Sequence, residues 1–266
     1  MTIARVRGIE LAYSDEGTGT PVVLLHGFPF NRSLWDEQAA ELRDRHRVIR
    51  PDLRGMGETP PGPEEAATMD EMARDVAALM DELRVARAVV GGLSMGGYVA
   101  LSFYRMFSHR VRALVLADTR ATADSEEQKR AREASALQAV EEGAQAIADD
   151  MLPKLLAPRT LAERPEVAER LRAMMRKTKR RGMAAALRGM ALRRDHTGFL
   201  PDIFAPTLVV VGSEDAITPP ADAELLRREI RGSRLVRIEG AGHVSNLEAP
   251  EEFNAALASF LKDLEP

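Results

Sequence analysis

The sequence predicts an α/β protein: a mostly parallel, eight-stranded sheet flanked by helices and carrying a helical insertion. Three observations predict it. Short β-type runs alternate with helical stretches along the chain, which is the pattern of a parallel sheet covered by helices. Several of the runs are apolar throughout, as strands buried on both faces must be. The alternation also stops after Leu116 and resumes at Thr207, leaving a long stretch without a strand.

Residues 3–6 and 9–13 read as two strands joined near Gly8, and the turn-rich Glu16-Gly17-Thr18-Gly19-Thr20-Pro21 follows. This pair should form an antiparallel edge. Residues 22–25, 48–49, 88–90 and 113–116 are the next strands, separated by helical patterns over 34–45, 69–83 and 95–107. From Thr119 the composition turns to Arg, Ala, Glu and Met, and Pro153, Pro158, Pro165 and Gly182 divide the stretch into pieces of helix length. A stretch of this size is too long for an ordinary loop, and such insertions form lids or binding elements. We therefore expect residues 119–198 to be a helical cap on a core made of 1–118 and 199–266. Strands at 207–211 and 235–238, with helices at 222–230 and 250–264, complete that core.

Within this plan the segment Gly91-Gly92-Leu93-Ser94-Met95-Gly96-Gly97 lies where the strand at 88–90 turns into a helix. Its G-x-S-x-G pattern has a mechanical meaning. A serine on so sharp a turn has a strained backbone, and small neighbours are needed because strand and helix nearly touch. The turn lifts the Ser94 hydroxyl clear of the sheet at the start of a helix. There the N–H of Met95 and the helix dipole face any negative charge that develops.

A serine nucleophile also needs a base, a group to orient that base, and donors for an oxyanion. His243 follows the strand at 235–238 in Glu239-Gly240-Ala241-Gly242-His243 and is the candidate base. Asp215 follows the strand at 207–211 and is the candidate orienting acid, although an acid so placed can equally be a helix cap. The chain order Ser, Asp, His suits a triad on this sheet. Glu214 and Asp118 are the rivals. Neighbours on an extended loop point in different directions, which sets Glu214 apart from Asp215, while Asp118 stands at the insertion boundary, where it is expected to tether the cap.

After the strand at 22–25 comes His26-Gly27-Phe28-Pro29, whose Phe28 N–H could join that of Met95 as a second oxyanion donor. His26 is expected to fasten this loop. The charges of Arg50-Pro51-Asp52-Leu53-Arg54-Gly55-Met56-Gly57 are expected to form a structural network.

Composition narrows the classes further. A formal net charge of -4 gives no pull toward nucleic acid. The basic run Arg176-Lys177-Thr178-Lys179-Arg180-Arg181 has no interleaved aromatics and reads as a solvated helix face. With Cys 0, disulfides and thiol catalysis are excluded. The scattered histidines show no H-E-x-x-H, and no P-loop or first-unit G-x-G-x-x-G is present, so neither metal nor cofactor is expected. No apolar run approaches a membrane span, and the charged start Met1-Thr2-Ile3-Ala4-Arg5-Val6-Arg7 is unlike a signal peptide. The expected location is cytoplasmic, without a membrane partner.

His26-Gly27-Phe28-Pro29, Asp52-Leu53-Arg54-Gly55-Met56-Gly57, Gly92-Leu93-Ser94-Met95-Gly96-Gly97, Asp215 and Gly242-His243 together resemble the α/β-hydrolase superfamily. Within it the chain is similar to small serine carboxylesterases and 3-oxoadipate enol-lactonase-like hydrolases. The resemblance implies Ser94 as nucleophile, His243 as base, Asp215 as its partner, and Phe28 and Met95 as oxyanion donors. Epoxide hydrolases and haloalkane dehalogenases share the style of loop but use an aspartate nucleophile, so Ser94 argues against both. The expected reaction is hydrolysis of a small carboxylic ester or lactone by water through an acyl-enzyme. C–C bond hydrolysis, or a perhydrolase activity of the haloperoxidase type suggested by Phe28-Pro29, would use the same triad; a non-catalytic receptor for a small ligand is the reading from another class. The substrate-binding candidates are Phe28, Trp35 and Met95 near the sheet edge, with Met174, Met175, Met183 and Met190 as a flexible roof in the insertion.

Overall fold

The computed structural model describes residues 2–264; Met1, Glu265 and Pro266, which the sequence assigns to the core, lie outside the described residues. Eight strands make one sheet: β1 Thr2–Val6, β2 Ile9–Glu16, β3 Thr20–Leu25, β4 His46–Pro51, β5 Ala88–Leu93, β6 Val111–Ala117, β7 Thr207–Gly212 and β8 Arg234–Ile238. Their spatial order is β1-β2-β4-β3-β5-β6-β7-β8. β1 pairs antiparallel with β2, and β2 with β4, while every later pairing is parallel. The antiparallel edge therefore stands where the short turn at Gly8 requires it, because only antiparallel neighbours can be joined by so tight a connection.

The unbroken apolar runs have a direct cause in the way strands alternate. Successive side chains of a strand point to opposite faces. In β3, Val23 and Leu25 enter the core on one face, while Val22 and Leu24 enter a second core on the other. β6 divides in the same way, with Leu114 and Leu116 on the first face and Ala113, Val115 and Ala117 on the second. Both faces are covered over 22–25 and 113–117, so those stretches are apolar throughout, and the polar Thr20 and Arg112 stand only where the strands are half-buried.

The first face is covered by α2 (Met69–Glu82), α3 (Met95–Phe107) and α9 (Pro220–Glu229), through residues such as Met72, Val76, Val99 and Leu226. α1 (Asp36–Leu42) and α11 (Pro250–Lys262) cover the second through Ala39, Leu42, Phe253 and Leu257, and α10 (Ser245–Glu248) precedes α11. Local signals explain where these helices start. Thr68 and Glu71 form a reciprocal capping box at α2, and Pro250 occupies the first position of α11, where its missing N–H costs nothing.

Between β6 and β7 lie five α-helices, α4 Glu126–Glu141, α5 Ala144–Leu155, α6 Pro158–Glu163, α7 Pro165–Arg176 and α8 Arg180–Ala191, followed by a 3-10 turn at Thr197–Asp202. Pro158 and Pro165 begin helices as their chemistry favours. Two expected breaks are not breaks. Pro153 sits in the last turn of α5, where the helix ends two residues later. Gly182 lies inside α8, where a Cβ would come within 1.9 Å of the Gly55 carbonyl oxygen. That glycine permits a close approach between the inserted helices and the loop after β4, and it does not interrupt the helix.

The insertion is fastened to the sheet side by specific bonds. Ala67 N–H donates to the Ala185 carbonyl at 2.9 Å, and Arg170 pairs with Glu37. His243 N–H donates to the carbonyl of Leu155 at 2.8 Å. Among the described residues no helix is long and apolar enough to cross a membrane.

Candidate active site

Ser94 joins β5 to α3 with φ 54° and ψ -116°, a left-handed conformation that costs a residue with a Cβ of order 1–3 kcal/mol. The surrounding glycines explain how the turn closes: a Cβ at Gly92 would lie 2.1 Å from the Gly96 carbonyl oxygen, and one at Gly96 would lie 2.1 Å from that of Leu25. Any larger residue at either position would push strand and helix apart. Ser94 is half-buried at the end of the sheet.

Ser94 Oγ stands 2.8 Å from His243 Nε2, and His243 Nδ1 stands 2.8 Å from Asp215 Oδ2 and 3.0 Å from Oδ1. Three residues far apart in the chain are thus joined into one line of hydrogen bonds. His243 and Asp215 are buried. Asp215 also accepts the Ile217 N–H at 2.8 Å and the Thr218 N–H at 2.9 Å, and the Thr218 hydroxyl donates to its Oδ2 at 2.7 Å. Asp215 therefore closes a local turn while it orients His243; it is not a helix cap, since the N-cap of α9 is Pro219, with no side-chain cap bond. Burial opposes its charge, but the interaction with His243 and the bonds from His243 and Thr218 outweigh burial and hold its pKa below the ordinary carboxylate value.

Beside Ser94 runs the loop after β3. A Cβ at Gly27 would lie 3.3 Å from that of Ser94, so Phe28 follows a residue in contact with it. Met95 is the first residue of α3, and a first-turn N–H has no carbonyl one turn earlier to accept it. His26 holds this loop through Nε2, which accepts the Leu53 N–H at 2.9 Å; burial lowers its pKa and keeps the ring neutral, as an acceptor must be. Asp52 accepts Arg32 and Glu58 backbone N–H groups at 2.7 and 2.9 Å and pairs with the Arg32 guanidinium. Arg54 makes a two-pronged pair with the buried Asp75. The charged turn after β4 is a scaffold for the site.

Residues 20–250 match the model of the α/β-hydrolase fold family. The chain belongs to the α/β-hydrolase family. It is similar to a thermophilic esterase from Thermogutta terrifontis with malate bound, at 44% identity and a TM-score of 0.96 over 100% of this chain and 99% of that one. It also resembles the enol-lactonase of Burkholderia xenovorans, with 31% identity and a TM-score of 0.91 over 98% of this chain and 100% of that one. The 3-oxoadipate enol-lactonase 2 of Acinetobacter baylyi is 32% identical over 87% of this chain and 85% of its own.

Other parts of this α/β-hydrolase stand differently from expectation. Asp118 does not tether the insertion. Its Oδ1 accepts the Gly212 N–H at 2.9 Å, and its Oδ2 accepts the Ser245 hydroxyl at 2.6 Å and the Ser245 N–H at 3.3 Å. It therefore fastens β6 to β7 and to the segment that follows His243. Burial and the nearby Asp215 charge raise its pKa well above the ordinary value. Glu214 is exposed, and no hydrogen bond joins it to His243 among the described residues. Ser102 and His196 form a second serine–histidine contact at 3.4 Å, but both are buried.

The binding candidates are all buried. An open cleft of about 360 Å³ lies between sheet side and insertion, lined by Tyr98, Arg120, Arg132, Lys154, Leu187 and Ile217 among others. Tyr98, one helical turn after Ser94, and Ile217, whose N–H donates to Asp215, line it, while Ser94, His243 and Asp215 themselves are not among its lining residues. None of Phe28, Trp35, Met95, Met174, Met175, Met183 or Met190 lines it. Trp35 is fully buried and packs on the ring of Phe253 at 5.8 Å. Met174 and Met175 lie in that same core, whereas Met183 and Met190 belong with Phe28 and Met95 to the other. The thioethers of α7 and α8 fill irregular space in the packing of the inserted helices, which lie mainly against α5, α6 and α4, a use that suits their flexibility. Met175→Ala is accordingly expected to lower stability by about 2–5 kcal/mol while leaving the order of preferred acyl lengths unchanged; denaturant unfolding and kcat/KM over an ester series check both parts.

Sequence reasoning missed two residues here. Thr218, three residues after Asp215, carries a Thr at a turn-forming distance from an Asp, a spacing that could have marked it. Thr178 is buried inside the otherwise exposed basic run, and its hydroxyl donates to the Pro29 carbonyl at 3.1 Å. It is the one uncharged residue between Arg176 and Arg181. Arg180 of that run donates to the carbonyls of Val140 and Glu141 at the end of α4, both at 3.0 Å.

Proposed function

We propose that Ser94, His243 and Asp215 are the catalytic triad of a serine hydrolase acting on small carboxylic esters or lactones. The observation that carries this reading is the line of hydrogen bonds from Ser94 through His243 to Asp215, each link 2.8 Å, starting on a strained turn. The substrate class follows the relatives, which are named as an esterase and enol-lactonases.

In this mechanism Ser94 Oγ attacks the carbonyl carbon as His243 Nε2 takes its proton, and Asp215 stabilises the imidazolium through Nδ1–H. The carbonyl electrons move onto oxygen, which the N–H groups of Phe28 and Met95 hold. When the C–O bond breaks, the leaving alcohol takes the proton from His243. Water then attacks the acyl carbon, giving its proton to the same nitrogen; the bond from that carbon to Ser94 Oγ breaks, Oγ takes the proton back from His243, and the carboxylic acid leaves. Residues 119–198 act as the cap over this centre.

A panel of esters, lactones and thioesters assayed with wild type and Ser94→Ala tests the reading. Turnover that disappears in the variant supports it. Tight retention of a small ligand without turnover would instead make the chain a receptor.

The cleft adds a preference. Arg120 pairs with Asp222, and Arg132 pairs with Asp124, but Lys154 is exposed and has no ion pair among the described residues. An uncommitted cation at the entrance favours substrates that carry a carboxylate away from the scissile bond. Lys154→Met should raise KM for such substrates by roughly 2- to 5-fold at low salt, the scale of one exposed ion pair, and leave neutral esters unchanged. Equal changes for both substrate types would remove the cleft from specificity.

A further inference from the structure

Glu248 is a buried carboxylate that the mechanism above does not use. Glu248 ends α10, five positions after His243, and is 7% exposed. Its Oε1 accepts the Gly242 N–H at 2.8 Å, and its Oε2 accepts the Ala157 N–H at 2.9 Å. The Thr160 hydroxyl donates to the same carboxylate. One oxygen thus holds the residue before His243, while the other holds the joint between α5 and α6 in the insertion.

Two further contacts make this a junction. His243 N–H donates to Leu155 at the end of α5. A Cβ on Gly242 would meet Ala157 N at 2.6 Å and the Leu155 carbonyl oxygen at 2.9 Å, so the loop and the joint lie in direct contact. The Glu248 carbonyl also accepts from Arg164, between α6 and α7, at 2.6 Å. On its other side the loop is held at Ser245 by Asp118. His243 is therefore suspended between two anchors, and one of them passes through the inserted helices.

We propose that Glu248 is a positioning residue: it couples the α5–α6 joint to the loop of His243 and so sets the imidazole against Ser94 Oγ. The proposal rests on the reading of Ser94 and His243 as nucleophile and base. A neutral amide cannot replace the carboxylate here, since both oxygens face N–H donors and an NH₂ group would oppose one of them. Aspartate keeps the charge but is one methylene too short to span both donors.

The test measures the rate at which a small fluorophosphonate labels Ser94, because that rate depends on serine–histidine alignment and little on fit to an ester. Wild type, Glu248→Gln, Glu248→Asp and Thr160→Val are compared, together with kcat, KM and thermal unfolding. Glu248→Gln is expected to lower the labelling rate and kcat together by roughly 10- to 100-fold, the scale of a small misplacement of a reacting group, with KM changed less than about 2-fold. Thr160→Val, which removes a donor on the insertion side, should move both rates the same way by a smaller factor. Folded Glu248→Gln with wild-type labelling and kcat would overturn the proposal; if that variant does not fold, unchanged rates in Thr160→Val do so. Should wild type label elsewhere than Ser94, the nucleophile reading falls and this proposal with it; labelling at Ser94 at equal rates in all variants sinks the coupling alone.

Discussion

Ser94→Ala is expected to lower kcat by on the order of 10⁴-fold or more, because members of a triad act as a unit and removing the nucleophile removes the covalent route altogether. The fold should survive. Alanine has the same Cβ as serine, so the left-handed turn between β5 and α3 gains no new strain, and the Ser94 carbonyl still accepts from the Thr119 hydroxyl. Fluorophosphonate labelling followed by peptide mapping checks the assignment directly. Wild type should carry one adduct, on Ser94, and the variant none. Full esterase activity in Ser94→Ala would end the serine reading.

Asp215→Asn is expected to lower kcat by about 10³- to 10⁴-fold, since an amide at this position can hold His243 in the wrong tautomer. Asp118→Asn should cost far less. The comparison matters because both aspartates follow parallel strands, Asp118 directly after β6 and Asp215 in the loop after β7, and both are buried. Asp118 meets Gly212 and Ser245, not His243. Asparagine keeps an oxygen for the Gly212 N–H, and the Ser245 hydroxyl can turn to accept from its amide; the new NH₂ opposes only the long 3.3 Å bond from the Ser245 N–H, so the cost falls on stability and not on the His243 tautomer. The change also removes a charge that burial and Asp215 already disfavour. Kinetics on both variants, with unfolding curves to confirm that they are folded, decide the matter; the opposite ranking would move the acid to the end of β6.

Much of the fold was legible because its signals are local. The apolar runs of β3, β5, β6 and β7 announce double burial through alternation alone, and Gly8 announces a tight turn. The site was legible for a related reason. Gly92, Ser94 and Gly96 must lie together because the turn they make is steric, and Asp215 and His243 follow strands whose ends converge in a parallel sheet. Errors arose where a residue's task is set by something distant in the chain. Gly182 looks like a helix break until Gly55 is seen against it. The insertion methionines look like a roof until the packing claims them, and Asp118 looks like a tether for the segment next to it in sequence.

The division follows from the range of the forces involved. Side-chain period, turn sterics and charge balance act within a few residues, so the chain alone carried the strand positions, the serine turn and the α/β class. Hydrogen bonds and packing act between any groups that the fold brings within a few ångströms. The placing of β4 between β2 and β3, the Thr218 hydroxyl on Asp215, the reach of Thr178 to Pro29 and the span of Glu248 from Gly242 to Ala157 all join residues through contacts that no local pattern encodes. Those contacts exist only once the sheet has assembled and the inserted helices have closed against it.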